Sequence, residues 1–176
     1  MRFSALELAG VYLVEPEPIA DSRGFFARTW CADEFAEHGL ETVVAQCNVS
    51  FNTHRGTIRG LHYQVEPMAE PKLVRCTAGA ILDVAVDMRE HSASRYRWLA
   101  VELSAENRNA LYIPAGFAHG LQTLSDASEV FYQMFERYSP EHSRGLRWND
   151  PRLAIEWPLP ALIVSDRDRS FDLITD

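Results

Sequence analysis

From Val43 onward the chain is a succession of short extended segments separated by turn chemistry, and that rhythm limits the fold more than any other feature. Val43 to Phe51, Leu73 to Thr77, Ile81 to Met88, Trp98 to Leu103, Ala110 to Ile113, Leu121 to Thr123 and Glu129 to Tyr138 all have strand composition, rich in β-branched and aromatic residues. The separators, such as Thr77-Ala78-Gly79, Ser104-Ala105-Glu106-Asn107 and Pro114-Ala115-Gly116, carry residues that favour turns. No helical segments alternate with these strands, which argues against a parallel sheet with crossover helices. What remains is an all-β fold, an antiparallel barrel or a double-sheet jelly roll.

The N-terminal part is more mixed. Val11 to Val14 reads as a strand that breaks at Glu15-Pro16-Glu17-Pro18, because proline cannot donate to a ladder. Asp21-Ser22-Arg23-Gly24 reads as a turn, and Phe25 to Trp30 as a strand. Cys31 to Leu40 has the clearest helical pattern, with Asp33 as cap, Phe35, Ala36 and Leu40 on one face, and Gly39 at the end. The tail turns polar at Trp148-Asn149-Asp150-Pro151 and again at Ser165-Asp166-Arg167-Asp168.

The 176 residues suit one domain, and no repeat, low-complexity tract or linker divides them. A formal net charge of -8 opposes a general nucleic-acid binder, which needs a basic stripe to displace counterions. It does not oppose binding of a small anion, since a cleft's field depends on its lining. Cys31, Cys47 and Cys76 are odd in number and lack CxxC spacing, so they read as buried, reduced thiols and not as a disulfide framework or zinc site. Neither a signal-peptide apolar region after Met1-Arg2-Phe3-Ser4 nor a run of membrane-span length is present. The expectation is a cytoplasmic protein with no membrane partner.

The chemistry concentrates in Arg59-Gly60-Leu61-His62-Tyr63-Gln64, which lies between Gln46-Cys47-Asn48-Val49-Ser50-Phe51 and Lys72-Leu73-Val74. These read as consecutive strands of one sheet, bringing a histidine, an arginine and a lysine together. Arg59 and Lys72 suit anions and oxyanions, and histidine titrates near neutral pH. Gln46 and Asn48 alternate with Cys47, so both amides face one side, suited to a polar ligand. His54, His91 and His142 read as surface residues.

These segments, together with Asp21-Ser22-Arg23-Gly24-Phe25-Phe26, Asp83-Val84-Ala85-Val86-Asp87-Met88-Arg89, Ile113-Pro114-Ala115-Gly116-Phe117-Ala118-His119-Gly120, Tyr138-Ser139-Pro140-Glu141-His142, Trp148-Asn149-Asp150-Pro151 and Ser165-Asp166-Arg167-Asp168, resemble the dTDP-4-dehydrorhamnose 3,5-epimerase family of nucleotide-sugar epimerases. The resemblance runs from about Gly10 onward, with the motifs in order. It implies a cupin-type jelly roll, a homodimer whose N-terminal strands reach across to the partner, a nucleotide-diphosphate sugar substrate, and neither metal nor organic cofactor. The residues give a separate argument about metal. Metal-binding cupins commonly carry His-x-His plus Glu before a later Pro-x-Gly-x-x-His. Here Pro114 to His119 keeps the later half, but His62 is followed by Tyr63 and Gln64, with Lys72 nearby, and an ammonium disfavours a divalent ion.

The resemblance also implies roles. His62 is the base that removes a proton beside a C4 ketone, with Asp168 paired to its ring. Lys72 meets the charge developing on the ketone oxygen, and Tyr132 returns a proton from the opposite face. Arg23 and Arg59 are implied diphosphate partners, which suits the guanidinium fork, and His119 a pocket contact. Phe26 and Tyr138 are candidates to stack on the nucleobase, with core packing the alternative for Phe26. Three positions depart from the family pattern: Arg28 replaces an acid, Ser143 often an acid, and Arg167 often a lysine. A cation at position 28 suits cytosine, which offers a ring acceptor where thymine offers an N–H, so a CDP-linked sugar is an alternative to a dTDP-linked one. Other readings are a single-site 3- or 5-epimerase, a metal-dependent cupin oxygenase, and a non-catalytic sugar-binding module.

Overall fold

The computed structural model describes residues 1–175. In chain order its elements are β1 (Arg2–Ala5), β2 (Tyr12–Glu15), β3 (Ile19–Asp21), β4 (Gly24–Phe26), α1 (Ala32–Glu37), β5 (Gln46–Asn52), β6 (Thr57–Gln64), β7 (Lys72–Ala78), β8 (Ala80–Asp87), β9 (Trp98–Ser104), β10 (Ala110–Ile113), β11 (Phe117–Thr123), β12 (Ser128–Met134), β13 (Ser143–Gly145), β14 (Ile163–Val164) and α2 (Asp166–Ser170). One sheet has the order β1-β2-β10-β7-β12-β5. The other runs β13-β6-β11-β8-β9, with β14 added to β6, and β3 pairs only with β4. All pairings are antiparallel except β14 on β6. This is the double-sheet jelly roll of the cupin type, as expected.

Each sheet buries residues on both faces. Between the sheets, Val74 and Cys76 of β7, Leu111 and Ile113 of β10 and Val130 of β12 pack against Ile81 and Ala85 of β8, Leu103 of β9 and Leu121 of β11. The period-2 alternation of strands sends the intervening residues outward. Leu73, Ala110 and Tyr112 are covered by α1 through Phe35. Val84, Val86 and Ala118 lie on the outer face of the second sheet against Leu146, Leu153 and the tail. Burying each of the larger aliphatic and Phe side chains stabilises the fold by about 1.5–3 kcal/mol before entropy. One end of the inter-sheet space is apolar, and polar side chains line the other.

Four local expectations are corrected. The helix covers six residues, not ten; its N-cap is Cys31 without a side-chain cap, Asp33 sits in the first turn, and Ala36 is exposed. So short a helix gains little from propensity and persists through packing: Phe35 meets Phe3 edge-on at 5.2 Å and Tyr112 at 6.0 Å. Gly39, at φ +68°, ends it as anticipated. Phe25 to Trp30 is not one strand, because β4 has partners only from Asp21 back to Ile19. Residues 43–45 likewise precede β5, whose pairing begins where Gln46 meets Met134, the last residue of β12. Finally, the three cysteines are free, but only Cys76 is buried; Cys31 is half-buried and Cys47 exposed.

Candidate active site

The largest correction concerns the sheet. His62 and Arg59 belong to β6 in one sheet, whereas Lys72 on β7 and Gln46 and Asn48 on β5 belong to the other. The polar stretches that adjoin in sequence therefore face each other across a cavity of about 540 Å³. The second sheet contributes Arg59, His62, His119 and, from β13, Ser143 to its lining; the first contributes Gln46, Asn48, Lys72 and Tyr132; Tyr138 comes from a loop, and Arg167 and Asp168 from α2 in the tail.

The His62 ring packs edge-on against Phe171 at 5.9 Å and, among the described residues, is hydrogen-bonded at one nitrogen only. Its Nε2–H donates to Oδ1 of Asp168 at 2.7 Å, while Oδ2 of Asp168 accepts from the Gly60 N–H at 3.2 Å. Because an ionised carboxylate can only accept, this contact keeps the proton on Nε2 and leaves Nδ1 with a free lone pair in the neutral ring. Asp168 reaches this place through two local devices. β14 runs parallel beside β6, with Val164 opposite Ile58, and the Ser165 hydroxyl caps α2 by accepting from the Asp168 N–H at 3.1 Å. Gly60 is required where it stands: its φ is +106°, and a Cβ there would lie 2.6 Å from Cα of Gly120. Burial acts to raise the Asp168 carboxyl, but the bonds from His62, Gly60 and Ser165 outweigh it and hold it below the usual carboxylate range.

A second histidine–carboxylate pair lies deeper. His119 is the cross-strand partner of His62, and its Nε2 is 2.7 Å from Oδ1 of the fully buried Asp83. Among the described residues, Oδ2 of Asp83 has no hydrogen-bond partner. Tyr132, on the facing sheet, meets the His119 ring edge-on at 6.0 Å. Burial, and then the negative charge of Asp83, push the Tyr132 phenol far above its ordinary range, against a smaller opposing effect of Ser50. At neutral pH it therefore keeps its proton. Among the described residues, no three His, Cys, Asp or Glu side chains are grouped so as to hold a metal ion.

The cations are held differently. Nζ of Lys72 donates to Oε1 of Glu70 at 3.0 Å, both side chains being buried. Arg59 is exposed, its Nε donating to Oδ1 of Asn52 at 2.6 Å, and Arg167 donates to the Ser143 hydroxyl at 3.2 Å. The Tyr138 ring is half-exposed at the rim, its backbone N–H donating to Oε1 of Gln46.

Three predicted residues are not brought to this cavity. Arg23 is 88% exposed and paired with Asp21, Phe26 is 71% exposed, and Arg28 donates to Glu34 at 2.7 Å. All three sit on or beside the β3–β4 hairpin, away from the pocket of their own chain. His54 and His91 are at the surface, but His142 is half-buried and shares a 2.7 Å hydrogen bond with the Ser139 hydroxyl. Sequence reasoning assigned nothing to Asp83, Glu70 or Asn52. Asp83 had a legible signal, a lone acid inside the apolar strand Ile81 to Val86. Glu70 had a weaker one, its place two residues before Lys72 across Pro71, although only the fold buries the pair.

The family model described as dTDP-4-dehydrorhamnose 3,5-epimerase matches residues 5–176. The chain belongs to that family. It is 43% identical over 171 residues to the dTDP-4-dehydrorhamnose 3,5-epimerase of Sinorhizobium fredii, covering 97% of this chain and 88% of the relative. The crystal structure of the Bacillus anthracis dTDP-4-dehydrorhamnose 3,5-epimerase with TDP and PPi bound superposes with a TM-score of 0.94 at 40% identity, covering 98% of this chain and 99% of that one. The dTDP-6-deoxy-D-glucose-3,5-epimerase of Legionella pneumophila, in complex with dTDP-4-keto-L-rhamnose, gives a TM-score of 0.91 at 36% identity, with coverage of 98% and 92%.

Proposed function

We propose that the protein is an isomerase that inverts C3 and C5 of dTDP-4-dehydro-6-deoxy-D-glucose, yielding dTDP-4-dehydro-L-rhamnose. One observation carries the reading: a base with a free ring nitrogen, His62, and a protonated phenol, Tyr132, stand on opposite sheets of one cavity. Inversion needs that opposition, because a proton returned to the face it left restores the starting sugar. Nδ1 of His62 removes the proton next to the C4 ketone, and Asp168 stabilises the imidazolium as it forms. The electrons move onto the C4 oxygen, where the Lys72 ammonium meets the negative charge. Tyr132 then protonates the carbon from the other side. The family membership and the nucleotide sugars named in the related structures support this substrate class.

The nucleotide end falls to Arg59 and Arg167, with Tyr138 offering a ring for the base and Gln46, Asn48 and His119 polar contacts along the cavity. In this reading the β3–β4 hairpin serves a second copy of the chain, carrying Arg23, Phe26 and Arg28 to the partner's pocket. Support comes from the hairpin's isolation from both sheets, its exposed Ile19 and Phe26, and the exposed Val49 and Phe51 on the outer face of β5.

The test is NMR in D2O with dTDP-4-dehydro-6-deoxy-D-glucose, following deuterium at C3 and C5. Incorporation at both carbons with inversion, abolished in His62→Ala, is the expected result. Incorporation at one carbon would make this a single-site epimerase, and none from folded protein would overturn the substrate. A parallel comparison of dTDP and CDP binding should favour dTDP, since Glu34 already engages the Arg28 guanidinium.

A further inference from the structure

The three cations of the cavity lining differ in their company. Arg59 and Arg167 have neutral acceptors, the Asn52 amide and the Ser143 hydroxyl, and keep their full charge for an anion. Lys72 alone has a carboxylate, and that carboxylate, Glu70, is itself buried and lines the cavity. The pairing is built into the backbone. Glu70 and Lys72 are two residues apart at the entry to β7, and Pro71 between them has a fixed φ and biases Glu70 toward extended backbone, on which alternate side chains share a face. The Pro71 carbonyl accepts from the Phe135 N–H at 3.0 Å, and the preceding turn is tied down where Gln64 donates to the Met68 carbonyl at 2.7 Å.

We propose that Glu70 is a positioning residue that reserves Lys72 for the ketone oxygen and withholds it from the substrate's phosphates. The proposal rests on the epimerase reading. An ammonium buried without a counter-charge is costly, and in an open cavity it would be compensated by whichever anion arrived, above all a diphosphate. Paired with Glu70, it is neutral toward a ground-state anion. One N–H is spent on the carboxylate, and two remain to donate to an oxygen. A ketone is uncharged when it binds and negative only as the proton leaves, so a neutralised but correctly aimed ammonium favours the transition state over the ground state. Phosphate recognition then falls to the two arginines, which form no ion pair among the described residues and donate to neutral acceptors.

Glu70→Gln tests this with little change of shape, and the acceptor oxygen is retained. Two quantities are read: kcat for epimerisation, and the inhibition constant of inorganic pyrophosphate, backed by its dissociation constant from calorimetry. The expected result is a kcat lower by about tenfold or more, within the range seen when a transition-state donor is misdirected. Exchange at C3 and C5 should fall in proportion, because both enolates share the C4 oxygen, and pyrophosphate should bind at least about threefold more tightly. A purely structural role would not tighten pyrophosphate binding. Unchanged pyrophosphate affinity with wild-type kcat would overturn the proposal, as would a joint loss of activity and of dTDP binding. If Glu70→Gln fails to fold, Glu70→Asp, with its carboxylate drawn back by one methylene, is read on the same two measures. If the wild-type protein does not turn the sugar over, the epimerase reading fails, and the pyrophosphate comparison still decides whether Glu70 restrains Lys72.

Discussion

His62 and His119 face each other across antiparallel β6 and β11, yet each imidazole is bound by a different carboxylate, Asp168 for the first and Asp83 for the second, both at 2.7 Å. The acids differ in origin. Asp83 is on the next strand of the same sheet, and Asp168 is 106 residues from His62 in a short helix of the tail. Asp83 is sealed in the interior and charges the surroundings of Tyr132. Asp168 sits at the cavity wall, where it governs the exposed ring. The site thus has one pair suited to proton removal and one that keeps the opposing phenol protonated.

Asp168→Asn should lower kcat by about 10²- to 10⁴-fold, the range for a mis-set general base. The amide can donate to Nε2 and so move the ring proton onto Nδ1, the nitrogen the reaction needs free. Calorimetric dTDP binding should stay near wild type, because both Asp168 carboxylate oxygens are engaged by the His62 ring and the Gly60 N–H. A parallel loss of dTDP affinity would point to collapse of the tail.

If the β3–β4 hairpin completes a partner's pocket, Arg23→Ala and His62→Ala homodimers should each be impaired, for different reasons. Mixing them under subunit exchange should restore activity toward one quarter of wild type, since half the dimers are hybrid and each hybrid has one intact site. Light scattering of the wild type should give a dimer mass. A monomer, or no recovery on mixing, would confine the hairpin to its own chain.

Asp87 should make the fold acid-sensitive in a defined window. Its buried carboxylate accepts from the Arg89 N–H and guanidinium and from the hydroxyls of Ser92 and Ser94. Burial alone would raise it, but these bonds hold it well below the usual carboxylate range. A carboxyl with a lowered folded value contributes fully above its unfolded value, about 3.9, and loses that contribution as pH falls further. Asp168 acts in the same direction. Stability by chemical denaturation should therefore decline below about pH 4. Asp87→Asn should flatten that decline and cost roughly 1–3 kcal/mol at pH 7, a buried-pair loss discounted because Arg89 is a third exposed.

The Cys76 thiol should resist alkylation until the chain unfolds. Burial pushes it up to about 11, and its Sγ donates to the Ala78 carbonyl at 3.0 Å. Since the thiolate is the reacting form, iodoacetamide labelling followed by mass spectrometry should detect modification at Cys76 only across the unfolding transition. Labelling of the native protein at the rate of a free thiol would contradict the packing around β7.

Much of this protein could be read along the chain. Alternation and turn residues are local properties, and they were enough for an all-β fold with most of its strands in place. Ordered motifs named the family and picked out His62, Lys72, Tyr132 and Asp168, which do line one cavity. Strand ends were harder, because a strand lasts only as long as its partner. β5 begins at Gln46 and β4 ends at Phe26 for that reason, and no composition of residues 27–30 or 43–45 could announce it. Nearness in sequence also misled: the segments around His62 and Lys72 are neighbours along the chain but occupy facing sheets.

What the sequence determined by itself was therefore the set of chemical groups and the class of fold that carries them, since propensity, periodicity and motif order are written residue by residue. The tertiary structure alone decided the long-range pairings: Asp168 with His62, Asp83 with His119, and His62 opposite Tyr132. It also left the hairpin bearing Arg23 and Phe26 outside its own pocket. Hydrogen bonds and buried charges depend on distance and burial, and those exist only once the two sheets have closed on each other.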